Sequence, residues 1–142
     1  MDSNYMVLKF KAISENELFA RNVVSCFALK LNPSLADLSD IKTAVSEAVT
    51  NCIVHGYGDD SGEITLECEI NDNTLHINVF DNGIGIVNID KALEPFYTTK
   101  PDEERSGMGF TIMKSFMDKV IVESEVNKGT KVYMKKLIKA DL

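Results

Sequence analysis

The chain has 142 residues, 44% hydrophobic and 26% charged, which suits one domain over 1–142 with a single core and excludes a disordered chain. Lys and Arg total 15 against 22 Asp and Glu, a formal net charge of −7 that argues against direct binding to nucleic acid or to an anionic membrane. The three cysteines, Cys26, Cys52 and Cys68, form no C-x-x-C, and no charged-then-apolar leader or long apolar run occurs; the expectation is a cytoplasmic protein with reduced thiols, no signal peptide and no membrane span.

In chain order, Tyr5 to Ala12 predicts a short strand. Ser14-Glu15-Asn16-Glu17 has the spacing of a capping box and opens a helix with apolar positions Leu18, Val23, Phe27 and Leu31. Asn32-Pro33 closes that helix, and Pro33 to Leu38 reads as a turn. Ile41 to His55 is a helix with one apolar stripe at Ile41, Val45, Ala48, Val49 and Cys52. Gly56 to Gly62 is a loop; Glu63 to Ile70 and Thr74 to Phe80 alternate apolar and polar residues around Asn71-Asp72-Asn73, as a β-hairpin does. Asn88 to Leu93 predicts one or two helical turns. Glu94 to Ser106 is polar, has two prolines and no period, which points to a functional loop such as a lid. Gly107-Met108-Gly109 leads into a helix over Phe110 to Asp118, and Lys119 to Val126 with Thr130 to Ile138 form a last hairpin. The expected fold is α+β: a two-layer sandwich with a mixed, mostly antiparallel sheet and three helices on one face.

Four segments carry chemistry. On the central helix, Glu47 and Asn51 stand one turn apart and project from one flank of the buried stripe. A carboxamide and a carboxylate suit a hard cation such as Mg2+, which takes few protein ligands and completes its shell with water and phosphate. Asp81-Asn82-Gly83-Ile84-Gly85 follows a strand, where the aspartate can accept a hydrogen bond from an exocyclic amine such as that of adenine. Gly107-x-Gly109 opens a helix whose backbone amides can approach phosphate oxygens. On the lid, Lys100 and Arg105 are placed to meet a terminal phosphate, although Lys100 reads equally well as a solvated charge. His55 is either a helix-end histidine bonded to backbone or a phosphate-side contact, and His76 reads as plain surface. There is no G-x-x-x-x-G-K-[ST], which excludes a P-loop, and the H-R-D and V-A-I-K pieces of eukaryotic-type protein kinases are missing.

E-x-x-x-N on a helix, D-x-G-x-G, a lid and G-x-G before a helix together resemble the boxes of the GHKL ATPases, which share the Bergerat ATP-binding fold. Within that group the chain resembles the small bacterial anti-sigma-factor serine kinases. Ile41 to Tyr57 and Phe96 to Met113 look most like the branch acting on a sporulation sigma factor of the sigma F type. The resemblance implies ATP and Mg2+ as cofactors, a serine on an anti-anti-sigma factor as phosphoacceptor, a sigma factor as second partner, and a homodimer. It implies that Asn51 ligates Mg2+ and that Glu47 is the base or orienter of the attacking hydroxyl. It further implies that Asp81 reads adenine with Gly83 and Gly85 letting the backbone pass close, and that Thr130 supports that contact. Arg105, Ser106, Gly107 and Gly109 match the phosphate end of the lid, and Arg21 matches an arginine used in partner binding. Asn82 departs from the acidic residue of close relatives.

Three other functions compete with this reading on the sequence. A histidine-kinase catalytic domain is disfavoured by the acid at Glu47 and by the lack of a dimerising helix before Tyr5. A nucleotide-dependent binding switch with incidental turnover, or a kinase of the general stress response, differs only in what receives the phosphate or which sigma factor is held.

Overall fold

The computed structural model describes residues 3–57, 62–81, 109–125 and 129–139. Strand β1 (Asn4–Lys11) leads to α1 (Glu15–Ala28), a 3-10 turn (Leu29–Leu31) and α2 (Leu35–Asn51), which runs on into a π-helical turn (Cys52–Tyr57). Then come β2 (Glu63–Asn71), β3 (Thr74–Phe80), α3 (Gly109–Phe116), β4 (Lys119–Glu125) and β5 (Gly129–Leu137). Among the described residues the strands form one five-stranded sheet in the order β1-β2-β3-β5-β4.

Period-two alternation builds one wall of the core. Ile64, Leu66, Cys68 and Ile70 of β2, Leu75, Ile77 and Val79 of β3, and Val132 and Met134 of β5 all point to the helices and are buried. Their registers stack them in cross-strand pairs, Leu66 opposite Val79, Cys68 opposite Ile77, and Ile77 opposite Met134. The stripe of α2 expected from the sequence, Ile41, Val45, Ala48, Val49 and Cys52, supplies the other wall and is buried throughout. Helix α2 contacts both α1 and α3, and the far face of the sheet leaves Tyr5, Val7, Ile121 and Leu137 exposed. The fold is therefore the expected two-layer α+β sandwich, helices on one face. Among the described residues no helix is long and apolar enough to cross a membrane.

Four local expectations are corrected. Among the described residues all four strand pairings are antiparallel, where a mixed, mostly antiparallel sheet was expected. Strands β3 and β4, joined through α3, do run parallel, but β5 inserts between them and is antiparallel to both. Ser14 makes no side-chain cap because its backbone is already helical (φ −57, ψ −33); the Asn16 side chain instead donates to Lys11 O at 2.9 Å. The capping box forms at Ser34, whose backbone is extended: Ser34 Oγ accepts from Asp37 N and Asp37 Oδ2 accepts from Ser34 N. Helix α2 thus begins at Leu35, within the segment expected to be a turn, and helical backbone persists past His55 to Tyr57. On α1 the buried face is Ala20, Val24 and Ala28, so Leu18 is half exposed. The hairpin at Asn71-Asp72-Asn73 is as expected, with Asp72 taking the left-handed conformation (φ 53) that the turn requires. The helical turns expected at Asn88 to Leu93 and the lid lie outside the described residues.

Two thiols give the core a pH limit. Burial pushes Cys68 up from 9.0 to about 12, and burial together with the Asp81 carboxylate raises Cys52 well above the usual thiol range. Both are protonated in the folded chain, whereas the unfolded chain ionises them above its ordinary thiol pKa. Their contribution is therefore complete below about pH 8.5–9 and is lost as the pH climbs towards the folded values. Urea midpoints should fall between pH 8.5 and 11 in the native chain, and less steeply once Cys68 is replaced by Ala.

Candidate functional site

The flank of α2 that carries Glu47 and Asn51 is capped by the first residue of α3. A Cβ built on Gly109 would lie 3.0 Å from Asn51 Nδ2, 3.3 Å from Asn51 Oδ1 and 3.3 Å from Glu47 Oε2. Carboxylate, carboxamide and the start of a helix therefore converge on one point. Helix α3 is described from Gly109 onward, and amides in the first turn of a helix favour negative charge. A side chain here would require Asn51 or Glu47 to give by a few tenths of an ångström. Gly109→Ala should force the Asn51 amide aside and weaken Mg-ATP binding about tenfold, with adenosine affinity held, as titration calorimetry with both ligands would register.

Asn51 also passes a test of fit for a cation-bound nucleotide. Its Nδ2 is buried and has no hydrogen-bond partner among the described residues. An orphaned amide costs about 1–3 kcal/mol unless something at the site satisfies it. Its oxygen is the hard donor that Mg2+ takes, and a cation of this kind leaves most of its shell to water and phosphate.

A second group assembles one residue further along. Asp81, at the end of β3, is 5% exposed, and its backbone N–H donates to Thr130 O at 3.0 Å across the β3–β5 ladder. The Cys52 thiol donates to the Asp81 carboxylate from the π-helical turn. Thr130 Oγ1 pairs with Ser124 Oγ at 2.8 Å, and Ser124 Oγ donates to Gly129 O at 3.0 Å. Gly129 starts β5 with φ 103, a backbone shape that a side chain would strain. The consecutive residues Asn51 and Cys52 thereby join the two groups. One faces Glu47 and Gly109, the other holds Asp81.

The structure thus brings Glu47, Asn51 and Gly109 together and sets Asp81 beside Thr130. Gly83, Gly85, Lys100, Arg105, Ser106 and Gly107 lie outside the described residues, as does the His55 side chain. Arg21 belongs to neither group: it lies on α1, with Nη1 3.6 Å from Glu17 Oε1 one turn earlier. His76 is not plain surface, because its Nδ1 is 2.6 Å from Tyr133 Oη and the two rings stack on the face of the sheet opposite the helices. The sequence did not single out Cys52 as anything but core. Its place directly after Asn51 and on the buried stripe was the available signal.

Residues 14–136 match the histidine kinase-like ATPase domain. The chain is 59% identical over 136 residues to the anti-sigma F factor of Clostridium acetobutylicum, covering 96% of this chain and 95% of that one. It is 57% identical over 136 residues to the anti-sigma F factor of Geobacillus thermodenitrificans, covering 95% and 93%. Among solved structures it resembles the RsbU and RsbW domains of Rv1364c from Mycobacterium tuberculosis (TM-score 0.68, 16% identity, 95% of this chain and 32% of that one). It also resembles the nucleotide-free catalytic domain of histidine kinase ThkA (TM-score 0.61, 20% identity, 94% of this chain and 96% of that one). The chain belongs to the histidine kinase-like (GHKL) ATPase family, alongside relatives that bear the anti-sigma F factor name.

Proposed function

We propose that this chain is a cytoplasmic anti-sigma factor, working as one domain over 1–142 and as a homodimer. It holds a sporulation sigma factor of the sigma F type inactive and phosphorylates a serine of an anti-anti-sigma factor, using ATP and Mg2+. The observation that carries the kinase half is the convergence of Glu47 with Asn51 on the start of α3. The name borne by the relatives, anti-sigma F factor, supports the sigma-factor half.

Phosphoryl transfer asks a protein mainly for positioning and charge neutralisation, with a base near the nucleophile. ATP supplies the γ-phosphoryl group, and Mg2+ neutralises its charge. Glu47 takes or orients the proton of the incoming serine hydroxyl, while Asn51 offers its carboxamide oxygen to the cation. Asp81 accepts from the exocyclic amine of adenine, steadied by the Cys52 thiol and by the backbone pairing to Thr130. Gly83 and Gly85 pass close to the base. Lys100, Arg105, Ser106, Gly107 and Gly109 bind the phosphates, with Arg105 stabilising the transferred group. Arg21, half exposed on α1, serves a protein partner rather than the nucleotide.

The test is transfer of label from γ-labelled ATP with Mg2+ to purified anti-anti-sigma protein. Label on a partner serine is the expected result. Label released only as free phosphate would replace the kinase reading by a nucleotide-dependent switch. Label on neither would leave a nucleotide-sensing inhibitor, to be pursued through sigma-factor binding with ATP against ADP.

A further inference from the structure

The side chains of β5 that face the helices are Val132, Met134 and Lys136, all buried, and Ile138 continues the row. A lysine in such a row is costly unless its charge is met. Lys136 is 8% exposed; its Nζ donates to the carbonyl of Phe116 at 2.7 Å and lies 3.6 Å from Asp40 Oδ2. Phe116 is the last residue of α3, so the ammonium sits where the helix leaves carbonyls unpaired and where its dipole favours a cation. Asp40 lies on α2, seven and eleven positions before Glu47 and Asn51, which returns all three to one flank of that helix.

Helix α3 therefore meets a single flank of α2 at two points: its C-terminal residue is held to Asp40 through Lys136, and Gly109, its first described residue, packs against Glu47 and Asn51. The eight residues of α3 span about 12 Å at the helical rise, which matches the roughly 10–16 Å along α2 between Asp40 and the Glu47–Asn51 turn. We infer that Asp40, Lys136 and the Phe116 carbonyl form a clasp that sets the height of α3 along α2, and so fixes how closely Gly109 approaches Glu47 and Asn51. The inference rests on reading that cluster as the phosphate end of a nucleotide site. Lys136 and Asp40 are positioning residues that touch no nucleotide. A separate pin keeps β4 in place: Asp118 Oδ2 accepts from Leu137 N at 2.6 Å and Asp118 N donates to Lys135 O at 2.9 Å. Loss of the clasp therefore frees the helix without detaching the strand.

The test uses the full chain as Lys136→Met, with Lys136→Arg as the charge-keeping control and Asp40→Asn as a second variant at a half-exposed position. Amide hydrogen exchange without nucleotide should speed up about tenfold across 109–116 in Lys136→Met, stay unchanged in β2 and β3, and be partly restored in Lys136→Arg. Calorimetry should show Mg-ATP affinity falling about tenfold while adenosine affinity holds to about twofold. Unchanged exchange over α3 in both Lys136→Met and Asp40→Asn overturns the clasp. Parallel losses of ATP and adenosine affinity overturn its positioning role, since a general loosening of the fold acts on both. A native chain that binds neither ligand defeats the nucleotide reading instead, and the exchange data still decide the clasp.

Discussion

Glu47→Ala is expected to lower phosphoryl transfer to the partner serine by about 10²–10⁴-fold, the range that general bases contribute. Mg-ATP affinity should change little, because Glu47 is assigned to the hydroxyl and not to the nucleotide. The geometry calls for a companion, Glu47→Gln. Glu47 Oε2 packs against the position of Gly109, so truncation to Ala also opens space beside α3, whereas the amide keeps the shape and removes only the charge. Equal losses in both variants would assign the effect to the carboxylate. Transfer that is lost in Ala and kept in Gln would make Glu47 a spacer, and unchanged transfer in both would sink its role altogether. Single-turnover measurements at saturating Mg-ATP separate these cases from altered binding.

Asp81→Asn is expected to weaken ATP binding by roughly 10–100-fold, the loss of about 1.5–3 kcal/mol that accompanies a hydrogen bond to a charged group. The variant is close to isosteric, and the backbone pairing of residue 81 to Thr130 O does not depend on the side chain. The fold should therefore survive, as a thermal melt would show. Adenosine binding should fall as far as ATP binding, because the lost contact is to the base. This sets Asp81→Asn apart from Gly109→Ala, whose effect is confined to ligands with phosphates. Native affinity for ATP in Asp81→Asn would remove this residue as the reader of adenine.

The elements most legible in the sequence were those whose signal is local and repeated. The stripe from Ile41 to Cys52 and the alternation of β2 and β3 gave the helix and hairpin that build the core, and Glu47 to Asn51 spacing placed both side chains on one flank. Capping was ambiguous for a physical reason. Ser14 and Ser34 both precede an acid by three residues, and what separates them is how the chain enters each helix, helical at Ser14 and extended at Ser34. Lys136 escaped notice because Lys135 precedes it, and adjacent lysines in a strand conceal which one faces inward. The Cys52 to Asp81 bond joins positions far apart in sequence, and the insertion of β5 between β3 and β4 follows from no dipeptide. Arg21, which the resemblance sets apart from the nucleotide site as a partner-binding residue, lies on α1 outside both groups.

The position of β5 has a consequence for synthesis. It is the last described strand to leave the ribosome, yet it is an interior strand, with β3 on one side and β4 on the other. Until residues 129–137 emerge, β3 offers an open edge to any passing strand, and Asp81 lacks the backbone partner that Thr130 provides. Nascent chains short of Gly129 thus expose that edge and lack the Thr130 partner of the proposed adenine contact. A chaperone that shields a sheet edge has most to offer during that interval, and ATP can act as a folding ligand only after it ends.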